Sequence, residues 1–432
     1  MIINNNNKYY TDNSKEATSR VAFVISKHNE KFIDDAKNNG CTEFIYSNEL
    51  KSEFDLSSIK IIGVTGTNGK TTTTAAIYSL LLDLGYKVAL QGTRGFFIND
   101  EKIEGYTLTT PTQLGNFDHI NKAIEMGCEY FVMEVSSHAI EQKRIEGLEF
   151  ALKVHTNITG DHLDYHGTLQ NYIDVKNSFF NDDSVKLINK DDPKIKFKMK
   201  NAFAYGLDNP ATYKVAAYSL QNGLHVAIQH FANMANYSSQ MMGLFNVYNL
   251  TAAIGSVNIL TKRPLQEICD KMENFGGVAG RMEVVHTDPL IVIDFAHTHD
   301  GMEKVYESFS EYDIISVFGA GGDRDRTKRP LMGKVATKYS KEIIITSDNP
   351  RFEDPDQICE DILKGCKESK HLIIELNRKL AIQKAIEISR KYDKPAILIL
   401  GKGDEETQII YDQKLPLNDK KIVEELLKET FN

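Results

Sequence analysis

Ile61-Ile62-Gly63-Val64-Thr65-Gly66-Thr67-Asn68-Gly69-Lys70-Thr71-Thr72 is the stretch on which the chain is organised. Ile61, Ile62 and Val64 form an apolar run that reads as a buried strand. A glycine-rich turn follows, and then Ala75, Ala76, Ile77, Leu80, Leu81 and Leu84 recur at helical spacing until Gly85 stops them. A strand, a glycine turn and a helix start make a cradle for phosphate, because backbone N–H groups curl round the anion and the helix end adds partial positive charge. Lys70 can then meet the outer phosphates and the Thr71 hydroxyl can ligate Mg²⁺. The strict spacing fails by one place, since Val64 stands where the first glycine is usual. The context still predicts ATP binding by Gly66, Thr67, Asn68, Gly69, Lys70, Thr71 and Thr72.

Downstream, the pattern alternates strand and helix. Val88–Gln91, Tyr130–Val135 and Val154–Ile158 are expected strands, which implies a largely parallel sheet with helices on both faces. Thr212–Tyr218 and Gly223–Ile228 are expected to add an antiparallel edge, and Asn246 to Leu260 a helix. After Gly280-Arg281 a second α/β series begins, with strands at Leu290–Ile293, Ile314–Phe318, Glu342–Thr346 and Ala396–Leu400. Before the phosphate loop, Val21–Ile25 and Phe44–Tyr46 flank a helical stretch in a unit too small to bury its own core. The expectation is an α/β protein of three domains, at 1–57, 58–283 and 284–432.

The 432 residues carry a net charge of -9 and no basic stripe, which argues against a general nucleic-acid binder. Five cysteines show no paired metal spacing and suit a reducing compartment. The first 20 residues lack an apolar core, and no run approaches the roughly 20 apolar residues that span a bilayer. A cytoplasmic protein without membrane insertion is expected.

Open parallel sheets bind ligands beyond their strand C-termini, which places Glu134 near the phosphates. From its sequence window alone, a strand-end glutamate facing water is as good a reading. Asn157 to His166 packs Asp161, His162, Asp164 and His166 after the next strand. Histidine is an unusual partner for Mg²⁺, and Lys176, read from spacing alone, is a solvated lysine. In the C-terminal series Asp294, Gly319 to Pro330, Asp348-Asn349-Pro350-Arg351 and Gly401 to Glu405 all follow strands. One rim therefore gathers Arg324, Asp348, Asn349, Arg351 and Glu405, a mixture of fixed acids and arginines suited to a zwitterionic amino acid. A solvated rim of mutually cancelling pairs is the plainer alternative.

Gly66-Thr-Asn-Gly-Lys70-Thr-Thr, Met133-Glu-Val-Ser-Ser-His138, Asp161-His-Leu-Asp-Tyr-His-Gly167, Gly280-Arg-Met-Glu283 and Asp348-Asn-Pro-Arg351, in this order, resemble the Mur ligase family over nearly the whole chain. The resemblance implies ATP-driven amide synthesis: the terminal carboxylate of UDP-N-acetylmuramoyl-L-Ala-D-Glu takes the γ-phosphoryl group, and an incoming amine displaces phosphate. It implies catalytic roles for Lys70, Glu134, His162 and Lys176. Mg²⁺ would be held by Thr71, Glu134, His162 and a CO₂-derived carbamate on Lys176. Asn246 or Asn249, Arg281 and Asp294 match ATP-side positions. Ser14, Thr109, Thr110, Ser136, Gln142 and Arg144 match positions holding the UDP-muramoyl-dipeptide. Arg324, Asp348, Asn349, Arg351, Gly401 and Glu405 match the pocket of the incoming residue. Within the family, Asp-Asn-Pro-Arg accompanies meso-diaminopimelate; its distal carboxylate can meet Arg324 and Arg351, whereas L-lysine would leave them unmatched. A monomer is expected.

Two positions depart from the family pattern: Asp404 stands where histidine is usual, and His299 where proline is usual. The N-terminal domain is also short. A folylpolyglutamate synthetase shares the phosphate loop and carbamate lysine, but Thr109-Thr110 and Asp348–Arg351 speak against it. A P-loop nucleotide switch would need no amino-acid pocket.

Overall fold

The apolar run around Ile61 is buried on both faces, as a strand flanked by parallel neighbours must be. In the computed structural model, which describes residues 2–105, 108–367 and 371–431, it becomes the strand Lys60–Thr65. That strand lies between Phe150–His155 and Tyr130–Glu134, parallel to both. They belong to an 11-stranded sheet whose parallel centre runs from Tyr213–Ser219 to Val88–Gly92. Antiparallel strands extend it at both ends, with Leu224–His230 and Asn233–Ser239 on one side and Gly95–Ile98 and Glu101–Glu104 on the other. The helix Lys70–Asp83 follows the loop, and its Ala76, Ile77, Leu80 and Leu81 pack in one core with Val247, Leu250 and Ile254 of the helix Leu244–Thr261. Gly85 adopts φ +87° just past the helix end, as a helix stop in the left-handed region does.

The strand expected at Val154–Ile158 runs instead from Phe150 to His155. Lys153 interrupts the apolar pattern, yet it is 6% exposed because its ammonium donates to Phe179 O at 2.9 Å and pairs with Asp182. Strands Lys186–Asn189 and Ala202–Gly206 were not anticipated.

The N-terminal unit is a four-stranded sheet ordered Ile2–Asn5, Lys8–Thr11, Val21–Ile25, Phe44–Tyr46. Its core is shared: Tyr10, Val24, Leu50 and Phe54 pack with Leu114 and Phe117 of the central helix Gln113–Glu125. Phe54 and Phe117 have ring centroids 5.4 Å apart.

The C-terminal unit is a six-stranded sheet ordered Glu283–Thr287, Leu290–Asp294, Pro395–Leu400, Asp313–Phe318, Glu342–Ile345, Leu372–Ile374, parallel after the first pair. Its opening strand starts at Glu283, one residue before the boundary read from the sequence. A hairpin, Thr407–Ile410 with Gln413–Pro416, stands beside the sheet. No helix among the described residues is long and apolar enough to cross a membrane.

Candidate active site

The phosphate loop is tied down from behind by the segment that follows the neighbouring strand. Thr67 N donates to Asn157 O at 2.7 Å, and Asn68 N to Asn157 Oδ1 at 3.0 Å. Gly69 has φ +84°, and a side chain there would collide with the Asn249 amide. Asn249 in turn donates to Asn246 Oδ1 at 2.9 Å, so Asn246 steadies the asparagine that sits against the loop. The Lys70 ammonium folds back onto the carbonyls of Gly66 and Thr67, each at 2.8 Å. Burial lowers its pKa, the Arg281 charge adds to that, and Glu134 and Asp161 oppose it. A cation so placed pairs with no carboxylate among the described residues and is available to a polyphosphate.

Glu134 ends its strand and is 1% exposed, so the solvated reading fails. Its Oε2 accepts from Thr71 Oγ1 at 3.0 Å, and its Oε1 from Thr93 N at 2.9 Å. Thr93 Oγ1 lies 3.0 Å from Thr109 Oγ1. The sequence reading missed Thr93, although its place at the end of Val88–Gly92 follows the strand-end rule. A cavity of about 310 Å³ opens beside these groups, lined among others by Thr71, Tyr78, Arg94, Glu134 and Phe275. A larger one, about 500 Å³, is lined by Lys60, Phe203 and Lys262 at the opposite strand ends, away from this chemistry.

Lys176 is not the solvated lysine that its spacing suggested. It is 1% exposed and donates to Gly66 O at 2.9 Å and Thr65 Oγ1 at 3.5 Å. Burial, reinforced by the Lys70 charge and only partly opposed by Asp161, drives its pKa well below that of a free lysine. Nearby, Asp161 Oδ2 lies 3.4 Å from His162 Nε2 and 4.0 Å from His297 Nε2. Burial alone would raise the Asp161 pKa, but His297, His162 and Lys328 hold it at about 2. His162 falls to about 4 through burial, with Lys70, His297 and Lys176 adding to it, so its imidazole is neutral. Among the described residues no group of three or more His, Cys, Asp or Glu side chains is set to hold a metal. The expected ligands come instead as a hydrogen-bonded pair, Thr71–Glu134, and a neutral His162 in the electrostatic range of Lys176.

Behind Glu134, Thr110 Oγ1 donates to Glu134 O at 2.8 Å and accepts from Ser136 N at 3.0 Å. Arg144 Nη1 donates to Thr110 O at 2.8 Å, and Arg144 Nε to Gln142 Oε1 at 2.9 Å. Thr109, Thr110, Ser136, Gln142 and Arg144 are thus brought together. Ser14 stays in the N-terminal unit, where its carbonyl accepts from Asn39 at 2.9 Å.

Across the cleft, Asp294 accepts from Met282 N and Ala296 N, each at 2.7 Å, and burial raises its pKa against the pull of Arg281. The Arg281 guanidinium lies 4.1 Å from the Phe295 ring centroid. His299 opens the helix His299–Glu307, capped by Thr298, at a first-turn position where proline is equally at home. The Asp348–Arg351 turn is strapped to the hairpin: Arg351 N donates to Ile409 O at 3.1 Å, and Tyr411 N to Arg351 O at 2.8 Å. These bonds hold Arg351 at φ +52°, a costly conformation for a non-glycine residue. Burial and then the Arg324 charge lower the Arg351 pKa, against the pull of Asp348, Glu405 and Asp323, so two guanidiniums and three carboxylates act on one another in this site. Gly401 has φ +109°, and a side chain there would strike Asp348 Oδ2. Glu405 Oε2 accepts from Asn349 Nδ2 at 2.9 Å and from Lys402 Nζ at 2.7 Å. Lys402, 1% exposed, escaped the sequence reading because a lysine between two glycines carries no burial signal.

The pattern of the Mur ligase middle domain matches residues 64–257, and that of the Mur ligase glutamate ligase domain residues 280–403. A protein from Wolinella succinogenes named UDP-N-acetylmuramoyl-L-alanyl-D-glutamate–2,6-diaminopimelate ligase is 52% identical over 422 residues, covering 98% of this chain and 96% of its own. The chain belongs to the Mur ligase family. A Helicobacter pylori protein of the same name is 48% identical over 96% of this chain and 95% of its own. A solved structure of a ligase with that name superposes with a TM-score of 0.67 at 29% identity, over 98% of this chain and 95% of the other. The three-domain α/β architecture and the ATP-dependent ligase class of the Mur ligases therefore apply here.

Proposed function

We propose that this Mur ligase joins meso-diaminopimelate to UDP-N-acetylmuramoyl-L-Ala-D-Glu, with ATP cleaved to ADP and phosphate, in peptidoglycan precursor synthesis. The glutamyl carboxylate attacks the γ-phosphorus, ADP leaves, and an acyl phosphate forms. The amine of the amino acid, having lost a proton, then attacks the carbonyl carbon, and phosphate departs with the bridging oxygen. The physical obstacle is the meeting of two anions, and Lys70 lowers it by neutralising charge where they approach. Positioning by the Thr110–Ser136–Gln142–Arg144 group and the C-terminal pocket supplies much of the remainder.

Thr71 and Glu134, oxygen donors already in contact, fit Mg²⁺, and His162, whose burial keeps its imidazole neutral, is the less usual third partner that the family resemblance assigns. When bound, Mg²⁺ would screen the phosphate charge and polarise the phosphoryl oxygens. Lys176 fits a carbamate, because a buried amine held neutral is the form that reacts with CO₂, and the product anion would support a second metal. Asn246, Asn249, Arg281 and Asp294 are assigned to the nucleotide, and Ser14 to the uridine side. A monomer is the assembly we propose, and substrates of this kind support a cytoplasmic enzyme.

The observation that carries the substrate choice is the paired Arg324 and Arg351 beside Asp348, Asn349 and Glu405. A distal carboxylate can meet the arginines while Glu405 Oε1, opposite the oxygen held by Lys402, takes the ammonium. The test is phosphate release from ATP with the UDP-muramoyl-dipeptide, alone and with meso-diaminopimelate or L-lysine. Release stimulated by meso-diaminopimelate is expected. Better stimulation by L-lysine would overturn the choice of amino acid, and release indifferent to both would point to a nucleotide switch.

A further inference from the structure

The turn Thr93-Arg94 joins strands Val88–Gly92 and Gly95–Ile98 at the edge of the cleft. Its two residues face different partners. Thr93 N holds Glu134 Oε1 at 2.9 Å, whereas Arg94 Nε crosses to the C-terminal unit and meets Asp404 Oδ2 at 2.8 Å. Asp404 precedes Glu405, whose carboxylate is shared by Asn349 and Lys402. A short chain of contacts thus runs from the Glu134 carboxylate, through one turn, to the amino-acid pocket. The Asp404 carboxylate, with 14% of its side chain exposed, is placed to receive the Arg94 guanidinium.

We propose that Arg94 and Asp404 are a positioning pair, in which the central domain fixes the Gly401–Glu405 loop so that Glu405 faces the incoming amino acid. This inference rests on the ligase reading. In this reading the pair acts on the amino acid through Glu405. A bridge of no consequence would leave substrate affinity unchanged on removal, so the kinetics discriminate.

The experiment is a double-mutant cycle on the full-length enzyme: Arg94→Ala, Asp404→Ala, the double variant, and the reversed pair Arg94→Asp with Asp404→Arg. KM is measured for meso-diaminopimelate and for ATP at low and high salt. Each single variant should raise the KM for meso-diaminopimelate roughly threefold to fivefold, the range of a partly exposed ion pair. The double variant should be no worse than either single one, the reversed pair should recover most of the loss, and salt should shrink the effect. The KM for ATP should stay within about twofold. Additive losses, or equal rises for ATP and amino acid, would overturn the pair. An unsubstituted enzyme that ignores meso-diaminopimelate would instead sink the ligase reading, so the two failures are distinguishable.

Discussion

Replacing Arg351 by alanine removes the guanidinium from a site where a second one, Arg324, remains. In the structure Arg351 Nη1 donates to Gly322 O at 2.7 Å, leaving the rest of its fork for a ligand. A hydrogen bond between charged groups contributes about 1.5–3 kcal/mol. Two such bonds to the distal carboxylate would be lost, but removing Arg351 also relieves its repulsion with Arg324, and Arg324 can partly compensate. One bond is therefore the fair net loss, which corresponds to a rise of about 10- to 100-fold in the KM for meso-diaminopimelate. Arg351→Lys keeps the charge without the fork and should fall between. Steady-state kinetics with each substrate varied in turn is the assay. The KM for ATP should stay within about twofold, and discrimination against L-lysine should narrow. Equal rises for ATP and amino acid would refute the assignment, because they would mean that the substitution disturbed the cleft rather than the pocket.

Lys176→Ala should leave almost no ligase activity, partly restored by millimolar short carboxylic acids that place an anion in the vacated space; full activity without rescue would exclude the carbamate. Stability should decline as pH falls below about 6.5. His155 is wholly buried and its pKa is pushed down to about 3, so the unfolded chain takes up a proton that the folded one refuses. The stabilisation is present above pH 6.5 and fades towards pH 3, at up to about 1.4 kcal/mol per pH unit for such a group. Urea denaturation from pH 7 to 5 checks this: His155→Gln should lessen the slope without abolishing it, because His138 and His162, both lowered to about 4 by burial, act in the same direction, and an unchanged slope would exclude His155 as a source.

The phosphate loop, the parallel strands and the helices after them were legible because each announces itself locally, by an apolar run or a helical stripe. Burial of polar groups did not announce itself. Lys153, Lys176 and Lys402 look like surface lysines in sequence and are buried because distant carbonyls and carboxylates meet them. The N-terminal hairpin was missed for a different reason. Its turn, Asn6-Asn7, has positive φ at both residues, as a tight hairpin requires, but the run of asparagines around it hides two short strands. Asp348, Asn349, Arg351 and Glu405 each follow a strand end, so their convergence could be inferred from topology. The Arg94–Asp404 contact could not, since its partners lie in different domains and nothing local couples them.

The central claim is that the glutamyl acid is activated by taking a phosphoryl group. The most direct test places ¹⁸O in that carboxylate of the UDP-muramoyl-dipeptide and follows one turnover by mass spectrometry of the inorganic phosphate. The account predicts one labelled oxygen carried into phosphate for each amide formed. Amide formation with unlabelled phosphate would contradict it.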